Sequence, residues 1–228
     1  MKNLLILTIV ALLSPLAGSA QKTYTTTGGE WIFSFADVKI GGASAANTIR
    51  FSPFFNIQTQ VHHDLSDRFG ILTGFTLHNV GFIMDDPIDK SIYYKFRNYT
   101  IGIPLGIKVG DMDGKYFFAG YEIELPFNFK QKTFVNEEKT KYDEWFSSRT
   151  PTFYHTLFFG VNLYSGAQLK FKYYLNNWFN KDYTTNDASG ALIKPYATTE
   201  VHVFYIALTF QILRGTHFYY QKPKNKSI

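Results

Sequence analysis

The sequence predicts an all-β fold: an eight-stranded, antiparallel, up-and-down transmembrane β-barrel. Three observations predict it. Eight segments alternate apolar and polar side chains with a period of two, which puts successive residues on opposite faces of a strand. The connections between these segments alternate between long and short. Cys is absent, and after residue 20 there is no run of about 18 apolar residues, so a disulfide framework and a membrane-spanning helix are both excluded. A membrane protein without such a helix must close into a barrel, because lipid cannot satisfy an open sheet edge.

Residues 1–20 read as a secretory signal. Lys2 supplies the positive start, Leu4 to Leu13 the apolar stretch, and Gly18-Ser19-Ala20 a small-residue cleavage site. The barrel is then expected over 21–213, with a basic tail over 214–228. The formal charge of the whole chain is +5, and removal of Lys2 lowers it by one. That mild, scattered excess lacks the basic stripe of a nucleic-acid binder, so nucleic acid is not an expected partner.

The first strand is expected near 30–38, where Trp31, Phe33 and Phe35 alternate with Ile32, Ser34 and Ala36. After a Gly- and Ala-rich loop at 39–47 the second strand runs over 48–63, with Ile49, Phe51, Phe55, Ile57 and Val61 on one face and Phe54 as an inward exception. A tight turn at 65–68 leads to the third strand, 69–82, whose alternation breaks near Asn79, as at a bulge. A polar loop at 85–92 precedes the fourth strand, NYTIGIPLGIKV. The fifth sets Phe117, Ala119, Tyr121, Ile123 and Leu125 against Phe118, Gly120, Glu122 and Glu124.

A long charged loop, 130–152, separates this strand from a hairpin whose sixth and seventh strands are joined by a two-residue turn at Ser165-Gly166. The loop at 177–199 then leads to the eighth strand, VHVFYIALTFQIL, which alternates most cleanly. Phe204, Ile206, Leu208, Phe210 and Ile212 share one face; Tyr205, Ala207, Thr209 and Gln211 share the other. Thirteen residues suffice to cross a bilayer, since a tilted strand needs about 9 to 11.

Which face points outward separates a membrane barrel from a lipocalin-like carrier of apolar ligands, in which the apolar face lines the cavity. The apolar face here is continuous over all eight strands, more surface than one small cavity can bury. The polar face is rich in Gly, Thr, Asn, Gln and Tyr, which suit a crowded lumen. Aromatics near strand ends, Trp31, Tyr99, Tyr116, Phe117, Tyr173 and Trp178, are expected to form interfacial girdles. The apolar face is therefore expected to meet lipid.

The signal ending in Ala20-Gln21, the strand Ile-Gly-Ile-Pro-Leu-Gly-Ile-Lys at 101–108 and the strand Ala-Leu-Thr-Phe-Gln-Ile at 207–212 resemble those of the small porin-like outer-membrane β-barrel proteins of Bacteroidetes-type bacteria. The resemblance spans residues 24 to about 213. It implies location in the cell envelope of a Gram-negative bacterium, and, because some members assist a secretion machine, an envelope or secretion protein as partner. Such barrels usually end on an aromatic of the last strand, whereas this chain continues from Arg214 to Ile228.

Within the expected lumen, Glu122 and Glu124 meet Arg50, Lys108, Lys170 and Lys172 from other strands. Charges withdrawn from water need partners, so an ion-pair network filling the interior is expected, with a narrow gated ion path as the sharper alternative. His78, His155 and His202 lie toward the long-loop ends. There Glu200 and Ser147 or Ser148 could complete a lipid-modifying hydrolase, although no spacing fixes a triad. Asp111-Met112-Asp113-Gly114 starts like a calcium loop but lacks the later Glu, and reads as a β-turn.

The expectation is a non-enzymatic structural or interaction platform without metal or cofactor. Its partners are outer-membrane lipids and lipopolysaccharide, together with whatever meets its long loops, where Trp145, Phe146 and Arg149 are the recognition candidates.

Overall fold

The structure is a computed structural model that describes residues 22–136, 138–163, 166–187, 189–214 and 218–219. The expected signal, Ser165 of the expected turn and most of the expected tail lie outside the described residues. Eight long strands build the fold: β1 (Lys22–Ile40), β2 (Ile57–Asp64), β3 (Phe69–Asp85), β4 (Ile92–Gly110), β5 (Tyr116–Val135), β6 (Tyr154–Asn162), β7 (Ala167–Tyr174) and β8 (Thr199–Arg214). Each pairs antiparallel with its neighbour in sequence. β8 returns to β1, in register from Thr26↔Arg214 to Ile40↔Thr199 with one irregularity at Thr27/Gly28. The eight-stranded sheet is thereby closed on itself. Among the described residues there is no helix.

Side chains alternate across this wall in the sense that defines a membrane barrel. Thr76, His78, Glu122, Glu124, Lys170 and Lys172 point inward and are buried, while the outward Ile101, Ile103, Leu105, Ile107 and Val109 of β4 are 47–65% exposed. A soluble barrel would show the reverse, so the apolar exterior is the lipid-facing surface of a transmembrane barrel. On β4 this apolar face runs from Val109 to Tyr99 and then gives way to Arg97 and Lys95; on β5 it runs from Phe117 to Phe127 and gives way to Lys130. The short turns at 65–68, 111–115 and 163–166 gather at one end with the start of β1. The long loops gather at the other.

The structure corrects four details. β1 starts at Lys22 rather than near residue 30, because the Thr-rich segment before Glu30 has the β propensity of a strand but no apolar alternation to reveal it. The second strand is not continuous. Arg50–Ser52 pairs with Ile32–Ser34, and Ile57 pairs with Gly29, so five steps on one chain face three on β1. Pro53 cannot donate to the ladder there, and Phe55 turns the chain at φ 61°. Phe54 is 73% exposed rather than inward.

The third correction concerns Asn79, where no bulge occurs and β3 stays in register with β4 to Asp85↔Tyr93. The alternation fades because Val80, Phe82 and Met84 point into an apolar part of the interior. Finally, much of the segment 130–152 is strand. β5 continues to Val135, beyond the apolar band, and pairs with Glu138–Trp145 in a hairpin.

Candidate functional site

The lumen is filled in three layers, and the central one is ionic. Glu30 of β1, His78 of β3, Glu122 and Glu124 of β5, and Lys170 and Lys172 of β7 converge there, all buried. Strand alternation makes this possible: each residue has inward parity on its own strand, and closure brings four strands within reach of one another. Lys172 Nζ lies 2.7 Å from Glu122 Oε2 and also binds Glu124. Lys170 pairs with Glu30, whose Oε1 also accepts from Thr209 at 3.1 Å.

His78 bridges the two pairs, with Nε2 3.1 Å from Glu30 Oε2 and Nδ1 3.3 Å from Glu124 Oε1. His78 and the two lysines thus face three carboxylates. Tyr174 donates to Glu124 at 2.8 Å and Thr76 donates to Glu122. The arrangement leaves no room for an added methyl: a Cβ on Gly102 would lie 2.1 Å from Glu122 Oε1. His78, Glu122 and Glu124 offer ligand atoms within 4.8 Å of one another. Because Lys172 already occupies both carboxylates, a divalent cation would have to displace an ammonium, and the residues do not fit a metal.

Toward the long loops the lumen becomes an aromatic plug. The connection at 175–198 folds inward and inserts Trp178 and Phe179, both buried. Trp178 stacks on Tyr154 at 5.1 Å and meets Phe82 edge-on at 5.9 Å, while Phe179 packs against Phe96 at 5.1 Å and stacks on Tyr196 at 4.2 Å. The Tyr154 hydroxyl donates to the Trp178 carbonyl at 2.8 Å and accepts from Asn98 at 2.8 Å, tying the plug to the wall. Above it a cavity of ≈ 350 Å³ opens among Ile40, Met84, Asp86, Tyr94, Arg149 and Tyr196. The amides of Asp89 and Ile88 hold the Asp86 carboxylate below its usual range.

Toward the short turns, Leu72, Met112, Tyr116, Phe118 and Phe158 form a smaller apolar cluster. Beside it Lys108 pairs with Asp64 and approaches the Tyr24 hydroxyl at 3.3 Å.

The expected lumen residues are therefore placed in three groups. Glu122, Glu124, Lys170 and Lys172 share one network. Lys108 belongs to a separate pair. Arg50 lies apart from both, in the segment before the β2 interruption, donating to Asn79 O at 3.0 Å and Asn79 Oδ1 at 2.6 Å. Glu30, His78 and Asp64 were missed as members, although a charged or imidazole side chain at inward parity is the signal that marks them.

The expected girdle also needs correction. Phe117 faces outward and is 71% exposed, and the half-exposed Tyr99 and Tyr173 face outward with it. Tyr116 is buried within the lower cluster and Trp178 within the plug, because their parity and the folded loop turn them inward. Trp31 faces outward but sits midway along β1, since that strand begins earlier than expected.

Of the loop candidates, Phe146 and Trp145 are both exposed, and Trp145 lies 5.8 Å from Phe127 on the outward wall. Arg149 is an internal strut. Its guanidinium lies over Tyr142 and Tyr183 and donates to Tyr196 at 3.2 Å. Burial works against its charge, but the hydroxyls of Tyr196 and Tyr142 outweigh burial and hold it above its usual value. His155 faces outward against the Tyr121 hydroxyl, and His202 stacks on Tyr173 at 6.2 Å. Ser147 donates to Glu144, and Glu200 pairs with Lys181 at 3.0 Å, so these groups are engaged elsewhere. Asp111–Gly114 forms a tight turn closed by Gly114 N to Asp111 O at 3.0 Å.

No family model matches the chain, nor does any curated protein. Among solved structures it is similar to Ail, the attachment invasion locus protein of Yersinia pestis, at 7% identity and a TM-score of 0.35, covering 85% of this chain and 100% of that one. It is also similar to the outer membrane protein OprG from Pseudomonas aeruginosa, at 12% identity and a TM-score of 0.36, covering 86% and 98%. A third likeness is to the outer membrane protease OmpT from Escherichia coli, at 9% identity and a TM-score of 0.35, covering 90% and 98%. Likeness at this level carries nothing about activity or partners.

Proposed function

We propose that this protein is an integral outer-membrane β-barrel of a Gram-negative bacterium, exported by the signal at 1–20, that conducts no solute and serves as a non-enzymatic platform. Its specific contacts, with an envelope or secretion partner, are made on the extracellular side by the connections at the end opposite the short turns. The observation that carries this reading is the filled lumen. Among the described residues an ionic layer around His78, an aromatic plug above it and an apolar cluster below it occupy the eight-stranded interior, which works against a through path. What distinguishes this barrel then lies in the loops, which include a hairpin rising above the apolar band.

The test is planar-bilayer recording on refolded protein whose closure is verified by a heat-dependent gel shift. The reading predicts no discrete conductance steps. Stepwise conductance from the heat-shifted form would overturn it.

A further inference from the structure

The outward face carries a cluster of cations at one place on its loop-side rim. Arg97 and Lys95 are the first outward residues of β4 past the apolar band, and their partners across the ladder on β5 are Lys130 and Lys132. Lys132 faces Lys141 of the hairpin strand in turn, and Lys139 lies one outward position further on. Like charges set opposite one another on neighbouring strands repel. Of the acids on this face, Asp143 is already 2.6 Å from Lys130 and Asp85 faces Tyr93 across the β3–β4 ladder; by alternation Glu138 and Glu144 fall on the other face. Elsewhere the rim mixes signs, as in Lys39 with Asp37 and Lys181 with Glu200.

Three further observations give this cluster a ligand. Arg50, Lys95, Phe96, Arg97, Lys130 and Lys132 enclose a partly open cavity of ≈ 80 Å³. The Arg97 Nε is buried there without a hydrogen-bond partner, a donor left for an acceptor the chain does not supply. Directly below, toward the apolar band, lies an aromatic patch: Tyr99 is 6.1 Å from Phe55 and 6.2 Å from Phe127, and Phe127 is 5.8 Å from Trp145. Arg97 and Lys130 lie over the Tyr99 ring at 5.4 and 5.7 Å, joining the two zones.

An anion above and an apolar body below is the signature of an amphiphile rather than of a soluble ion. We infer that this cluster binds a phosphate of a phosphorylated glycolipid of the outer leaflet, the chemistry of the lipid A part of lipopolysaccharide. The acyl chains then lie against Phe55, Tyr99, Phe127 and Trp145. Guanidinium and ammonium groups suit phosphate oxygens, and the site sits at the height of a headgroup. Burial first, then Lys139, Arg97, Lys141 and Lys95, push the Lys132 ammonium below its usual value. The inference rests on the outer-membrane reading above.

The test uses the full mature chain refolded in phosphatidylcholine vesicles, with the heat-dependent gel shift run first. Absence of a shift in the wild type would overturn the barrel reading itself, separately from the site. Binding of lipid A is then measured by fluorescence for the wild type, for Arg97→Gln, and for Lys132→Gln/Lys141→Gln, which lies beyond the apolar band and leaves the wall intact. The expected result is a loss of about tenfold or more in affinity for the variants, no loss for Lys39→Gln/Lys181→Gln, a comparable loss with dephosphorylated lipid A, and no competition by inorganic phosphate. Equal binding by all variants would overturn the site. Full competition by inorganic phosphate would also overturn it, by showing an anion site without lipid selectivity.

Discussion

Glu30 is buried and faces both Lys170 and His78, so removal of its charge is felt across two strands. Glu30→Gln leaves the buried Lys170 ammonium short of its counter-charge, at a cost of about 3–5 kcal/mol. The expected outcome is a clear drop in the temperature at which the gel band shifts, with partial recovery in Glu30→Gln/Lys170→Met. No drop, or a further loss in the double variant, would contradict the network. At this scale the sequence was half legible. Parity placed Glu122, Glu124, Lys170 and Lys172 on one face. The distance between strands that share a face is not written in any one of them, so which cations meet which carboxylates, and that Lys108 and Arg50 stand apart, emerges only on closure.

Among the elements, the connection at 175–198 behaves least like a loop, because its Trp178 is part of the interior. Trp178→Ala should cost about 3–5 kcal/mol, as for other buried aromatics. Trp145→Ala, on the outward wall, should change the heat-shift temperature little. Similar effects at the two sites would contradict the plug. Polar composition made this segment read as solvent-exposed, because two aromatics within a long polar run carry no period that shows which way the chain folds. The 130–152 segment failed differently: above the apolar band both faces of a hairpin meet water, so its charged residues lose the alternation that elsewhere reveals strands. The interruption at 53–56 was hidden by apolar residues on both sides of it. Asn56 stabilises it, donating to Ser52 O at 2.7 Å and accepting from the Asn79 amide at 2.7 Å.

For the whole molecule, the decisive property is the direction of the apolar face, since it separates a lipid-embedded barrel from a carrier with an apolar cavity. It was legible because all eight strands repeat it, whereas the partner that meets the loops leaves no comparable repeat. The chain contains no Cys, so single cysteines can be placed without a background. The most direct measurement is the accessibility of a spin label at Leu105→Cys, Leu169→Cys or Leu208→Cys, three outward positions on different strands, in reconstituted bilayers. The account predicts high collision rates with oxygen and low rates with a water-soluble nickel chelate at all three. High chelate collision, or labels shielded from both reagents, would show that these side chains do not face lipid and would contradict it.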